Sequence, residues 1–332
     1  MFRKTSIALL ALAGSVAAAP ILVAQADELK LAHFASPKYH LHNEMFLPLA
    51  ENINEATGGA TTIRVYPGGE LGKGPVKQYD RVIDGVADIS YALPGYTAAQ
   101  FKKTLLVELP GIVPRGTNKT EVVWNNIEHL NKEFRRTELL GLWTSDEASL
   151  LMAKKPVRAM SDLAGLKIRV PSKNTGRVVE AWGATAVSMP ITQVYTSMET
   201  GVVDGVLVDT SVLSSFKLGE VTKYITTGMN ATNSMFMLVM NRDSFDGLDA
   251  DTQSKLKGMT GADMSEGGRV TMTNASGRAL KKWVDGGGEV IELSADAAAE
   301  FNAATDALAA KVIAELDGEG IDASGFATAL NK

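Results

Sequence analysis

The sequence predicts an α/β protein of two similarly built lobes that face each other across a cleft, with a long helix spanning both. Three observations carry this. Short alternating apolar segments succeed helical ones in regular order, the pattern of parallel βαβ units. A set of glycine-containing turn motifs in the first half returns in the second. Between Leu248 and Gly286 a helical stretch is interrupted only by the mild breakers Gly258, Gly261 and Gly267-Gly268.

Residues 1–26 read as an export signal rather than as fold. Arg3 and Lys4 precede an uncharged stretch that ends in Ala24-Gln25-Ala26 before Asp27, the layout of a secretory signal peptide. Ser15 and Pro20 interrupt its apolar run, which falls short of the roughly 20 apolar residues of a membrane anchor. The mature chain then holds 31 basic and 38 acidic residues and no cysteine. That balance argues against a nucleic-acid partner, which calls for clustered positive charge. The missing cysteines remove disulfides, thiolate catalysis and cysteine metal sites together. An exported chain of this kind fits a Gram-negative periplasm.

"ELKLAHF" (28–34) is a predicted strand, and His42 to Ala56 an amphipathic helix ended by Gly58-Gly59. "TTIRVYP" (61–67) is a second strand, followed by a glycine-rich turn, the helix of "PVKQYDRVIDG" and the strand "ISYAL" (89–93). The second half echoes this. Gly59-Ala60-Thr61 and Gly183-Ala184-Thr185 each open a strand that closes at a proline, Pro67 or Pro190. Each is followed by a helix leading to Gly-Val-x-Asp, at 85–88 and 201–204. Glycine ends a helix in the left-handed conformation before the chain turns into a strand. A helix of about 35 residues after Leu248 would reach roughly 50 Å, enough to tie two lobes from behind. A terminal amphipathic helix from Ser294 is capped by Ser294 or Asp296. The expected division is lobe I at 27–146 plus about 235–275, and lobe II at about 147–234 plus 276–332.

Catalytic patterns are missing. His40 and His42 cannot share a helix face, and there is no HExxH. "GGELGKG" (68–74) has Pro67 where a phosphate loop needs glycine, and Gly74 where it needs Ser or Thr. No G-x-S-x-G elbow occurs. No cofactor motif emerges, and an enzyme is the weaker reading.

"GLKIRVP" (165–171) alternates Leu166, Ile168 and Val170 with Lys167 and Arg169, and Pro171 closes the strand. Arg169 at this strand end either faces water or faces a cleft and holds an anion. The longer stretch "DLAGLKIRVP", then "GATAVSMPITQVYTSMETGVVDG", resembles the extracytoplasmic solute-binding subunits of tripartite ATP-independent periplasmic (TRAP) transporters, DctP type. Gln193 stands where that pattern usually has glutamate. "YPGGELGKG" and "LVMNRDSFDGL" add matching blocks, so the resemblance runs from about residue 28 to the C-terminus. It implies a two-lobed periplasmic binding protein fold that captures a small organic acid between its lobes and delivers it to TRAP membrane permease subunits. It also implies that Arg169 pairs with the ligand carboxylate. The planar guanidinium fork suits two carboxylate oxygens as lysine cannot.

Two departures shape the expected ligand. Ala148 stands where many members carry a second arginine, after Ser145, Asp146 and Glu147, and Asp209 replaces a pocket asparagine. An acidic pocket end suits a monocarboxylate with a cationic or hydroxyl-bearing end. Two other readings stay open for Asp146 and Glu147: an ordinary solvated loop, or a metal ion bridging carboxylates and ligand. The aromatic wall is expected from Phe34, Tyr39, Tyr96 and Phe236, each of which could instead be core. The rival function is an exported enzyme on the same scaffold, with Asp209 or Glu147 as acid or base.

Overall fold

The computed structural model describes residues 27–332, so the expected signal peptide lies outside the described residues. Lobe I begins with β1 (Asp27–Ala32), whose Leu29 and Leu31 are buried while Glu28 and Lys30 are exposed. Helix α1 (Leu47–Ala56) follows a π-helical turn at His42–Phe46, and β2 (Thr61–Tyr66) runs parallel to β1 from Asp27↔Thr61 to Ala32↔Tyr66. Helix α2 (Gln78–Ile83) leads to β3 (Ile89–Ala92), and β4 (Thr137–Thr144) completes the first passage through this lobe.

Lobe II takes β5 (Ser149–Met152), β6 (Lys167–Val170), α3 (Lys173–Ala181), β7 (Thr185–Ser188), α4 (Val194–Glu199), β8 (Gly205–Val208) and β9 (Tyr224–Thr227). Strand β10 (Met235–Asn241) then returns to lobe I. The sheets are ordered β2-β1-β3-β10-β4 and, once β11 (Glu289–Glu292) joins, β11-β9-β5-β8-β6-β7. Each lobe borrows a strand that runs antiparallel to its parallel trio, β10 beside β3 and β5 beside β8.

The repeated turns have one physical cause. Gly85 and Gly201 end their helices at φ 68° and 76°. Three residues on, Asp88 accepts the backbone N–H of Lys30 at 2.8 Å, and Asp204 accepts that of Lys167 at 2.8 Å. Each aspartate thereby locks the incoming strand to the middle strand of its parallel trio, so β2-β1-β3 and β7-β6-β8 share one plan.

The predicted single helix after Leu248 is two. Helix α5 (Ala250–Met259) stops before Gly261, which adopts φ 81° and donates its N–H to the Leu140 carbonyl at 2.7 Å. Helix α6 (Ala262–Asp285) then runs 24 residues, about 36 Å at 1.5 Å per residue. Its Ser265 hydroxyl accepts the N–H of Leu142 in lobe I, and its Ser276 carbonyl accepts the Thr210 hydroxyl of lobe II.

The terminal helix also divides. In α7 (Ala295–Thr305), capped by Ser294 at 3.2 Å, Phe301 lies against Trp182 of lobe II. Past Asp306 the chain crosses back. Val312 and Leu316 of α8 (Leu308–Gly318) and Phe326 of α9 (Ala323–Ala329) pack with Tyr79, Phe101 and Leu106 of lobe I. The expected assignment of all of 276–332 to lobe II is therefore corrected: apolar faces on α8 and α9 find their partners on the first lobe.

Candidate functional site

Strand β6 places Arg169 at the seam between lobes. Ile168 and Val170 are sealed in the lobe II core, Lys167 is exposed, and Arg169 is only 1 % exposed. Its Nε donates to the Met189 carbonyl at 2.9 Å and its Nη2 to the Tyr96 hydroxyl at 3.1 Å. The same Tyr96 oxygen accepts the N–H of Ile191 at 3.0 Å. Tyr96 belongs to the 3-10 turn Pro94–Thr97 after β3, so a lobe I residue touches lobe II twice and closes the cleft over Arg169.

Both oxygens bonded to Arg169 are neutral. Burial lowers its pKa, and Tyr96 together with the negative charge of Asp209 in the same cavity partly offset this. Among the described residues Nη1 finds no acceptor, and Nη2 is bonded only to Tyr96, so donors on the Nη1–Nη2 edge are left for a ligand. A buried guanidinium without a directly bonded carboxylate is costly, and a ligand carboxylate would supply that bond.

Arg169 lines a cavity between the lobes together with six aromatic residues. Four of the six are the expected Phe34, Tyr39, Tyr96 and Phe236. The others are Tyr91 and Phe216, which the sequence reading did not single out. Tyr91 organises the wall: it stacks on Phe34 with centroids 5.4 Å apart and on Phe236 at 5.6 Å, and its hydroxyl meets that of Tyr39 at 2.8 Å. Phe216 stacks on Phe34 at 6.4 Å. Burial raises the pKa of both Tyr39 and Tyr91, which keeps them neutral donors.

Asp209 lines the same cavity. Its Oδ1 accepts the Ser211 N–H at 3.1 Å, the Ser211 hydroxyl at 2.5 Å and the Ser276 hydroxyl at 3.4 Å. Among the described residues Oδ2 accepts from no donor. Burial raises the pKa of this carboxyl, and the bonds from Ser211 oppose the shift.

Asp146 and Glu147, expected beside Asp209, do not line this cavity, although the charge of Asp146 reaches Asp209 and helps raise its pKa. They lie in the segment crossing from β4 to β5 and line a separate groove with Lys119, Asn233 and Arg269. Asp146 accepts the Thr273 hydroxyl at 2.8 Å, and the exposed Glu147 accepts the Ala231 N–H at 3.0 Å. The crossing segment is pinned to the returning chain by Ser145 N–H to Ser234 and Ala148 N–H to Thr232, and it buries Ala148, not the acids. Among the described residues no three His, Cys, Asp or Glu side chains converge as a metal site.

Comparison with known proteins places this geometry. The family described as "Bacterial extracellular solute-binding protein, family 7" (DctP) matches residues 31–316. A solute-binding protein of Albidiferax ferrireducens is 25% identical over 77% of each chain. The ectoine/5-hydroxyectoine-binding periplasmic protein UehA of Ruegeria pomeroyi is 29% identical over 58% of each chain. Among solved structures, a marine metagenome TRAP solute-binding protein from an unidentified microbe, specific for aromatic acid ligands, aligns with a TM-score of 0.87 at 24% identity. That alignment covers 92% of this chain and 97% of the other. A TRAP solute-binding protein of Rhodoferax ferrireducens with copurified benzoate gives 0.83 at 22% identity, covering 91% and 96%. These relatives bind solutes and are not enzymes. The chain belongs to the DctP family of bacterial extracellular solute-binding proteins.

Proposed function

We propose that the solute is an aromatic monocarboxylate bearing a hydrogen-bond donor, captured in the periplasm and passed to the membrane permease subunits. The observation that carries this is Arg169, buried and bonded only to neutral oxygens, with no direct carboxylate bond among the described residues. A ligand carboxylate would accept from Nη1 and Nη2. Six ring systems around the cavity supply flat apolar walls, the setting in which an aromatic ring gains from offset stacking. The free Oδ2 of Asp209 would accept a hydroxyl or amino proton from the ligand and repel a second carboxylate. The aromatic-acid ligands of the two structural relatives support the same chemistry.

A zwitterion is a second reading, since Asp209 and aromatic faces also suit a cationic group, and UehA binds ectoine. Thermal shifts of the mature protein with 3-hydroxybenzoate, ectoine and succinate separate the readings. A ligand at 100 times its Kd stabilises by about 2.7 kcal/mol. The expected order puts 3-hydroxybenzoate first and succinate last, with Asp209→Asn narrowing the gap. A larger shift with ectoine would favour the zwitterion. Tight succinate binding, unchanged by Asp209→Asn, would contradict both.

A further inference from the structure

A second groove adjoins the ligand cavity and shares Ser211 with it. It is open to solvent and has three walls: the segment after β1 with Lys38 and Glu44, the segment Ser211–Lys217, and α6 with Arg278 and Lys282. Four cations line it against one acid, and that acid is engaged, with Glu44 accepting from Arg278 at 2.9 Å. Lys38, Lys217 and Lys282 are exposed and form no ion pair among the described residues. The chain as a whole carries a net charge of −5, so this positive patch runs against the balance of the molecule. His40 also lines the groove but adds no charge at neutral pH, because burial and the Arg278 charge hold its pKa at about 4.

The backbone at Lys217 adds an independent observation. Lys217 is the only non-glycine residue with positive φ among the described residues, at 58°. A lysine there is strained by roughly 1 kcal/mol where glycine would not be. Its conformation turns the chain so that Phe216 enters the cavity wall while Lys217 lines the groove. Strain of this kind is concentrated at functional sites.

We propose that this groove is an anion-capture site: Lys38, Lys217 and Lys282 gather a carboxylate from solution at the cleft mouth, and the site hands it past Ser211 and Phe216 to Arg169. The proposal rests on the carboxylate reading of the cavity. Charge lining a concave surface raises local counter-ion concentration and association rate, and salt removes the effect. The groove would act on the rate of binding, and the cavity would set the rate of release.

Two measurements test it on the mature protein with the triple substitution Lys38→Gln, Lys217→Asn, Lys282→Gln; asparagine is chosen because it tolerates the left-handed region. In stopped-flow fluorescence with 3-hydroxybenzoate, the association rate of the wild type should fall ~3-fold or more between low and high salt. The variant should begin at the slow rate and show little salt dependence, with the dissociation rate unmoved. Equal association rates at low salt would overturn the proposal.

The second measurement needs no solute. Trp283 borders the adjoining part of the groove beside Lys282. In a Trp124→Phe background its fluorescence should be quenched more by iodide than by neutral acrylamide, and the triple substitution should abolish that excess. An unchanged iodide-to-acrylamide ratio would refute the capture site even if no carboxylate proved to bind, an outcome that would separately refute the carboxylate reading.

Discussion

Glu108 sits in the lobe I turn Thr104–Glu108 with 1 % of its surface exposed. It accepts the hydroxyl of Ser172, the residue that caps α3 in lobe II, and the N–H of Met235. Burial pushes its carboxyl up to about 7, against the opposing effect of those two donors. The folded protein therefore holds this proton over a window, from about pH 4.5 to 7, in which the unfolded chain has released it. Stability attributable to Glu108 falls as pH rises through that window and is level above it. The total is of order 3 kcal/mol at 1.36 kcal/mol per pH unit. Glu108→Gln keeps the acceptor and removes the proton, so melting curves from pH 5 to 8 should show the variant gaining on the wild type as pH rises. Parallel curves would show that Glu108 is not the buried acid described. Legibility in the sequence follows the same local logic. Arg169 was readable because strand alternation and Pro171 fix its face and its place at the strand end. Tyr91 was not, because an aromatic residue on the apolar face of "ISYAL" looks like core from sequence, and here the core face is the cavity wall. The lining of the neighbouring groove by Asp146 and Glu147 was not readable, because nothing local tells which way a crossing segment turns its side chains.

Helix α6 shows what packing adds at the scale of an element. The stretch from Leu248 offered several glycines as break points, all alike in local propensity. The chain breaks at Gly261, where a Cβ would come within 3.3 Å of Trp124 and where the N–H is taken by Leu140. It continues through Gly268, because that glycine makes room for the buried ring of Trp143. A Cβ on Gly268 would lie 2.7–2.9 Å from three atoms of the indole. Alanine in an open helix position gains up to ~1 kcal/mol over glycine, while overpacking a core costs about 1–3 kcal/mol. Overpacking should win, and Gly268→Ala should lower the melting temperature. A rise would mean the Trp143 ring is free to move aside. The repeated Gly-Val-x-Asp turns, by contrast, were legible from sequence because glycine conformation and the Asp88 and Asp204 bonds to the neighbouring strand are short-range.

On the scale of the whole molecule, the chain passes between lobes from β4 to β5, from β9 to β10, along α6 and from α7 to α8. These crossings leave a cavity in which a buried cation has no direct ion-pair partner among the described residues, with Tyr96 as its roof from the opposite lobe. The two-lobed plan was readable from the alternation of strands and helices. The return of α8 and α9 to lobe I was not, because an amphipathic helix announces that it has an apolar face without saying which lobe covers it. Calorimetry of the best carboxylate from the thermal-shift series against wild type, Arg169→Lys and Arg169→Ala tests the central claim most directly. Charged hydrogen bonds contribute about 1.5–3 kcal/mol each, and 1.4 kcal/mol is a factor of ten in affinity. Affinity should fall ~10-fold in Arg169→Lys, where the fork is lost, and ~100-fold or more in Arg169→Ala. The unliganded melting temperature of Arg169→Ala should not drop, since an unpaired buried charge is removed. Binding by Arg169→Ala within about 3-fold of wild type, less than 1 kcal/mol, would show that the carboxylate is held elsewhere.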